Sequence, residues 1–470
     1  MSKSIISFVL AVMLSACTLG PDYRRPVVNP PSSWRFDEKE AKEVANTEWW
    51  EQFGDPVLNE LIRSALQENK DIRIAVARVQ EFMGRYGVTK AALYPQVGAA
   101  GIGTRKRVTH YTNPPWAPGT ENPYSDYQAL LSASWEIDVW GRIRRATEAA
   151  RAELLSSEEG QRAVVLTVAT AVATAYMDLR DLDMQLEIAE RTAKSRGESF
   201  DLFKLRFGRG LISELELRQI ESEYQSALAT IPLLQKLIAQ QENALSVLLG
   251  RNPGPIQRGR PLEELALPAV PSGLPSQLLE RRPDIRQAEQ NLIAANARIG
   301  VAKALYFPVI SLTGVFGVES TDLSRLFTGP ARNWSYSVPI SAPVFTAGGI
   351  AGQVRVAEAV RQQALFRYQQ AVQTAFREVE DSLVDQDKSR EQLAIQKRQV
   401  EALRSYAALA RLRYENGYTS FLEVLDAERG LFSAELTYTQ TKGVLFRALV
   451  NLYKSMGGGW VVEAERLAGG

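Results

Sequence analysis

The sequence predicts a mixed α and β membrane protein made of two copies of one unit. Each unit is a helix, a strand hairpin, a very long helix and a long partner helix. Three observations carry this: the chain repeats itself in order, two pairs of segments alternate polar and apolar residues, and two very long stretches lack proline. Asp71-Ile72-Arg73 opens a segment running through Gly87-Val88-Thr89-Lys90-Ala91 to Pro95, and Asp284-Ile285-Arg286 opens another through Gly300-Val301-Ala302-Lys303-Ala304 to Pro308. A second echo pairs Leu205-Arg206-Phe207, Gly210 and Ser213 with Leu412-Arg413-Tyr414, Gly417 and Ser420. Glu216 and Glu221 are answered by Glu423 and Glu428. Ordered repetition on this scale indicates a duplicated architecture.

The first residues set the compartment. Lys3 is a positive n-region and Ile5 to Leu14 an apolar h-region, too short to span a bilayer. Leu14-Ser15-Ala16-Cys17 then reads as a lipoprotein cleavage site, with Cys17 as the lipidated N-terminus. Cys17 is the only cysteine, so disulfides and cysteine-metal sites are excluded. Residue 18 is Thr rather than Asp, which favours the outer over the inner membrane. Thr18 to Asn46 reads as extended.

The helix from Asp71 to Ala92 leads into the first hairpin, and its echo from Asp284 to Leu305 into the second. From Tyr127 to Val139 the odd positions are Tyr127, Ala129, Leu131, Ala133, Trp135, Ile137 and Val139, with polar residues among the even ones. From Trp334 to Val344 the apolar residues fall on even positions, with Ser335, Ser337 and Ser341 between. Period-two patterning with aromatics near the ends suits barrel strands. Weaker partners precede them at 96–107 and 307–319, giving strands near 96–107, 126–139, 307–319 and 334–345. The connectors Val108–Ser125 and Ser320–Asn333 carry Pro, Gly and Asn, as external loops do.

The proline-free stretches 141–207 and 349–414 read as single helices of roughly 100 Å at 1.5 Å per residue. Val165, Val168, Val172, Ala175, Leu179, Leu182, Leu186, Ala189 and Ala193 form a heptad seam in the first. The second seam is less regular. Partner helices follow at 213–249, where Pro232 should introduce a kink, and at 420–456. The chain thus divides into a signal peptide (1–16), an N-terminal lipidated extended segment (17–60), repeat one (61–250), a Pro- and Gly-rich linker (251–275), repeat two (276–457) and a tail (458–470).

Four strands cannot close a barrel, since membrane barrels need about eight or more. Open edges in lipid are forbidden, so the strands must come from several chains. Three copies give twelve strands around a water-filled lumen. Two would give eight, which side chains fill.

Composition removes other classes. A net charge of +1 argues against a nucleic-acid partner, and no run of 18 apolar residues offers a transmembrane helix. His110, the only histidine, falls in a surface loop. No nucleophile–base set, metal cluster or phosphate loop appears, so an enzyme is not expected and no cofactor beyond the lipid on Cys17.

The chain resembles the TolC-like outer membrane efflux factors of Gram-negative bacteria, in their lipoprotein (OprM/NodT-like) branch. The resemblance rests on the Cys17 site, Gly20-Pro21-Asp22-Tyr23, Trp49-Trp50 with Phe53-Gly54-Asp55-Pro56, and Arg281-Arg282-Pro283-Asp284-Ile285. It continues through Phe421-Leu422-Glu423-Val424-Leu425-Asp426-Ala427-Glu428-Arg429 and Asn451-Leu452-Tyr453-Lys454 before Gly457-Gly458-Gly459-Trp460. It implies a homotrimer with a barrel among outer membrane lipids and a helical periplasmic tunnel. It also implies a periplasmic adaptor (membrane fusion protein), an inner-membrane RND-type pump and small-molecule, multidrug-type efflux.

By the same resemblance, Leu422, Asp426 and Arg429 map onto a periplasmic gate. Their i, i+4, i+7 spacing puts them on one helix face. The turns with Arg206, Gly210 and Ser213, and with Arg413, Gly417 and Ser420, map onto the adaptor-docking tips. Both glycines suit left-handed C-caps and both serines N-caps. Alternative functions are a type I protein secretion duct and a non-conducting envelope-spanning scaffold. The exported substrate is not written in the sequence.

Overall fold

The computed structural model describes residues 18–28, 30–31, 34, 48–109, 111, 121–268 and 275–457. Cys17 and His110 lie outside them. A 3-10 turn, Trp49–Phe53, is followed by α1 (Pro56–Glu68) and α2 (Lys70–Ala91). Strands β1 (Gln96–Lys106) and β2 (Tyr124–Ile137) lead to α3 (Arg142–Gly208) and α4 (Glu214–Leu248). After α5 (Pro275–Arg281), the plan repeats: α6 (Pro283–Ala304), β3 (Val309–Ser320), β4 (Arg332–Ser337), β5 (Ile340–Ser341), α7 (Gly349–Glu415) and α8 (Phe421–Ser455). The two copies match in length: 22 residues for α2 and α6, 67 for α3 and α7, and 35 for α4 and α8.

The chain forms two compact units. The first holds residues 1–27, 79–157 and 288–368, the second 28–78, 158–287 and 369–470. In the first, an antiparallel sheet runs β1-β2-β3-β4, with β5 also on β3. The register aligns Ala99, Leu131, Phe316 and Trp334 in one row. Hence Tyr127, Leu131, Trp135, Phe316, Trp334 and Tyr336 share an apolar face, while Gln128, Ser132, Ser134, Glu319, Ser335 and Ser337 share the other. Among the described residues, β1 and β4 have no outer partners.

The expected strand over 334–345 is broken. Pro339 has no N–H to donate, so the ladder stops at Ser337 and resumes for two residues at Ile340. The Pro339 carbonyl still accepts from Ser311 N at 3.1 Å.

The second unit is built on the predicted seam of α3: Val165, Val168, Val172, Ala175, Leu179, Ala189 and Ala193 are all buried. This part of α3 is long and apolar enough to cross a membrane by composition, but it is core. The irregular seam of α7 has a physical cause. Val372, Val379 and Leu383 are followed by buried Gln386, Ser389 and Gln396 before Val400, Ala407 and Ala410 resume. Polar residues hold seam positions, and the step from 386 to 389 is a local slip of the heptad. Pro232 lies inside α4, which continues through it as one helix.

Two further expectations are corrected. Residues 17–60 are not extended throughout. Asp55 caps α1 by accepting from Val57 N at 2.9 Å, with Pro56 in the first turn. Residues 251–268 are not merely a connector. Ile256, Leu262 and Leu265 are buried with Trp49, Trp50 and Phe53. The Tyr176 hydroxyl donates to Asp55 Oδ2 at 2.7 Å and accepts from Gly259 N at 2.9 Å, tying both segments to α3.

Candidate functional site: helix tips and an exposed charged face

Both helix pairs of the second unit turn through the same motif. Gly210 N donates to Phe207 O and Leu211 N to Arg206 O; Gly417 N donates to Tyr414 O and Tyr418 N to Arg413 O. These are Schellman closures. They need a left-handed residue, supplied by Gly210 at φ 72° and Gly417 at φ 77°. Ser213 then caps α4 with a full capping box, in which Glu216 Oε2 accepts from Ser213 N at 2.9 Å.

Ser420 stands at the equivalent N-cap but makes no side-chain cap bond. Glu423, the residue that would close the box, is taken by Arg413 Nη1 at 3.0 Å and by the Thr419 hydroxyl.

The tips are joined by an aromatic knot. Phe203, Tyr414 and Phe421 pack with centroids 4.2–6.1 Å apart. The Arg206 guanidinium lies over Phe203 and donates to the Tyr414 hydroxyl at 3.3 Å. Arg206 therefore ties the first tip to the second, whereas Leu211 and Tyr418 are exposed beside the glycines.

The first turns of α8 divide sharply. Phe421, Val424, Leu425 and Ala427 are buried in the knot, while Leu422, Asp426 and Arg429 are exposed on the opposite face. Asp426 Oδ1 lies 3.0 Å from Arg429 Nη2. The repeat register sets Leu215, Gln219 and Ser222 of α4 against these three. At these three positions only the second repeat carries charges.

Behind this face is a charge layer that sequence reasoning missed. Arg196, 5% exposed, pairs with Glu223 at 3.0 Å, and Glu223 also lies 3.9 Å from Arg429. Glu428 lies 3.8 Å from Arg411. Burial pushes the Glu428 carboxyl up despite Arg411 and Arg196, and burial lowers the Arg196 guanidinium. Farther along α8, Glu435 holds Arg191 at 2.9 Å and Arg404 at 2.6 Å. The repeat pairing of Glu221 with Glu428 was the available signal, but the copies have diverged: Glu221 makes a surface pair with Arg218 at 2.8 Å.

In the first unit, the segment after Cys17 is fixed to the helix-side end of β2. Leu19 N donates to Trp140 O at 3.2 Å, Arg145 holds Asp22 at 2.7 Å, and Asn296 donates to Pro21 O at 2.8 Å. A Cβ on Gly141 would meet Thr18 at 2.4 Å, so the approach needs glycine, whose φ there is 76°. Among the described residues no cluster of His, Cys, Asp and Glu is arranged for a metal.

The family model "Outer membrane efflux protein" matches residues 61–251 and 274–458. The toluene efflux pump outer membrane protein TtgI of Pseudomonas putida is 37% identical over 469 residues, covering 98% of this chain and 99% of that one. The cation efflux system protein CusC of Escherichia coli is 34% identical over 465 residues, covering 97% and 98%. The Neisseria gonorrhoeae MtrE outer membrane channel, solved in its open state, superposes with a TM-score of 0.85 at 31% identity, covering 94% of this chain and 99% of that one. The outer-membrane channel OprN gives 0.87 at 32% identity, covering 95% and 100%. With both halves matched and relatives aligned nearly end to end, the chain belongs to the outer membrane efflux proteins, outer membrane components of Gram-negative efflux pumps.

Proposed function

We propose that three copies of this chain form a passive exit duct for small toxic solutes. It would be supplied by a periplasmic adaptor and an inner-membrane RND-type pump, and closed at rest by Leu422, Asp426 and Arg429. The observation that carries the reading is the sheet. Four strands with one apolar face and two open edges cannot sit alone in lipid. Edge-to-edge closure with two further copies satisfies β1 and β4 and leaves the polar face lining a lumen.

The gate assignment draws on the exposed face of α8 in the first turns after a helix tip. Three Leu422 side chains would make an apolar ring, three Asp426 carboxylates a charged ring below it, and Arg429 would hold each carboxylate within its own chain. Exposed Leu211 and Tyr418 at the tips suit adaptor docking, with Arg206 and Arg413 shaping the turns behind them. A lipid on Cys17 fits the fixed path of Thr18–Asp22, which ends beside β2.

Planar-bilayer conductance tests the duct. The purified protein should conduct in small, unsteady steps that enlarge in Asp426→Ala. Trimers present in the bilayer without any conductance in either protein would overturn the duct.

A further inference from the structure

At the loop end the strands keep their carboxylates off the apolar face, while cations stand on both faces, Lys106 on the polar one. On the apolar face, the row Gly101, Ala129, Val318 ends in Arg332, and Arg105 stands opposite Ser125. Asp126 and Glu319, the carboxylates of this region's strands, pair with Thr104 and Gln128 on the polar face. The paired positions of the apolar face therefore carry cations and no carboxylate.

Small residues Ala99, Gly101 and Ala129 leave an open groove of about 630 Å³ beside Phe316, with Phe327 and Arg332 also lining it. That volume lies within the range of small-ligand sites. Phe327 is 81% exposed, an aromatic in the loop that follows β3. Arg105 donates to Ser125 Oγ at 3.0 Å and Arg325 lies 3.8 Å from Asp322. Arg332 has no ion-pair partner among the described residues.

An arginine on a lipid-facing surface is costly unless its head reaches water or an anion. The planar guanidinium matches phosphate in two-point contact. This end of the sheet is the one away from the starts of α3 and α7, hence the outer leaflet for a duct whose helices lie in the periplasm.

We propose that this groove binds a phosphate-bearing lipid of the outer leaflet. One acyl chain lies over Ala99, Gly101 and Ala129, and the phosphate is held by Arg332. The inference rests on reading the sheet as a barrel segment with its apolar face in lipid.

The test uses the purified full-length protein with bis-phosphorylated lipid A, its dephosphorylated form and phosphatidylethanolamine as probes, and native mass spectrometry as readout. Wild type should retain the bis-phosphorylated lipid most and its dephosphorylated form least, with phosphatidylethanolamine, which offers one phosphodiester, between them. Arg332→Gln should lose about tenfold in retention, the loss expected from one charge-assisted contact, and Arg332→Lys less. Ala129→Phe, which fills the groove and leaves the cation, should lose retention as well. Equal retention by wild type and Arg332→Gln, or equal retention of all three lipids, overturns the proposal. So does a change of oligomeric state in Ala129→Phe without lipid loss, which would make the groove a protein contact. A nitroxide on Trp334→Cys separates the two readings. If its oxygen accessibility is that of lipid while Arg332→Gln retains lipid, only this inference fails. If the label reports water, the barrel reading fails with it.

Discussion

Replacing Asp426 with Ala removes a carboxylate 3.0 Å from Arg429, and both side chains are well exposed, at 61% and 63%. Solvent therefore screens the pair, and an i,i+3 contact of this kind is worth about 0.3–0.5 kcal/mol. Among the described residues, the only other carboxylate paired with Arg429 is Glu223, at 3.9 Å. If the pair forms only when the constriction is closed, three protomers would together lose about 1 kcal/mol, roughly a fivefold shift from closed to open. The assay is single-channel open probability for wild type, Asp426→Ala, Arg429→Ala and the double variant at physiological salt.

If the pair acts within each chain, the double variant should match Arg429→Ala, which removes the Asp426 contact and the longer one to Glu223, and Asp426→Ala should fall at or slightly below them. Raising the salt to about 1 M, where the Debye length falls to about 3 Å, should move wild type toward the variants and leave the variants unchanged. A shift far above fivefold would mean that Asp426 also contacts a neighbouring protomer. Unchanged open probability in every variant at both salts would refute the assignment of the gate to this face.

Gly417→Ala should destabilise the tip by about 1 kcal/mol, since nothing lies near the added methyl and only the left-handed backbone resists it; Gly417→Asn should recover part of this in thermal melting. Glu428 has a folded pKa raised above its ordinary 4.5. The folded state then binds more protons, so this group's contribution to stability falls as pH rises from about 4.5 through the folded pKa. Glu428→Gln should therefore flatten the pH dependence of unfolding in that window, as read by denaturant titration at a series of pH values. Cys17→Ala should abolish lipid labelling in cells while the protein stays in the outer membrane fraction as trimers. Recovery as soluble monomers would count against the barrel.

The duplicated plan was legible because each of its parts is written in a local periodicity. Proline-free stretches set α3 and α7, the clear period-two segment 127–139 set β2, and the weaker alternation of 307–319 found β3. What escaped was decided by single residues acting through space. Pro339 breaks a strand whose alternation continues straight across it. Gln386, Ser389 and Gln396 sit in a seam that an apolar pattern cannot reveal. Asp55 and Tyr176 are far apart in sequence, and they pack the 251–268 segment together: Tyr176 donates to Asp55 at 2.7 Å while Gly259 N donates to Tyr176 and Arg260 N to Asp55. The Arg281-Arg282-Pro283-Asp284 run is a family marker whose sequence alone does not show its purpose. The reason is Arg282, buried and bonded to Asp284 at 2.6 Å, Glu378 at 2.7 Å and the Ser455 carbonyl at 3.0 Å, which joins α6, α7 and the end of α8.

The candidate gate shows the same division between what a repeat transmits and what it does not. Duplication copied the turn: Gly210 and Gly417 share one backbone conformation because the Schellman closure leaves no alternative. It did not copy the chemistry around the turn. Glu216 closes a capping box, whereas its counterpart Glu423 binds Arg413. Gln219 and Ser222 are neutral where Asp426 and Arg429 are charged. In a trimer, a face built this way would alternate around the axis, three charged helices with three neutral ones. Only the charged set can be loosened by salt or by removing one carboxylate. The neutral α4 face therefore supplies the internal control: Gln219→Ala should leave open probability unchanged under conditions where Asp426→Ala raises it. Equal effects from both would place closure in the packing of the tips rather than in the charges.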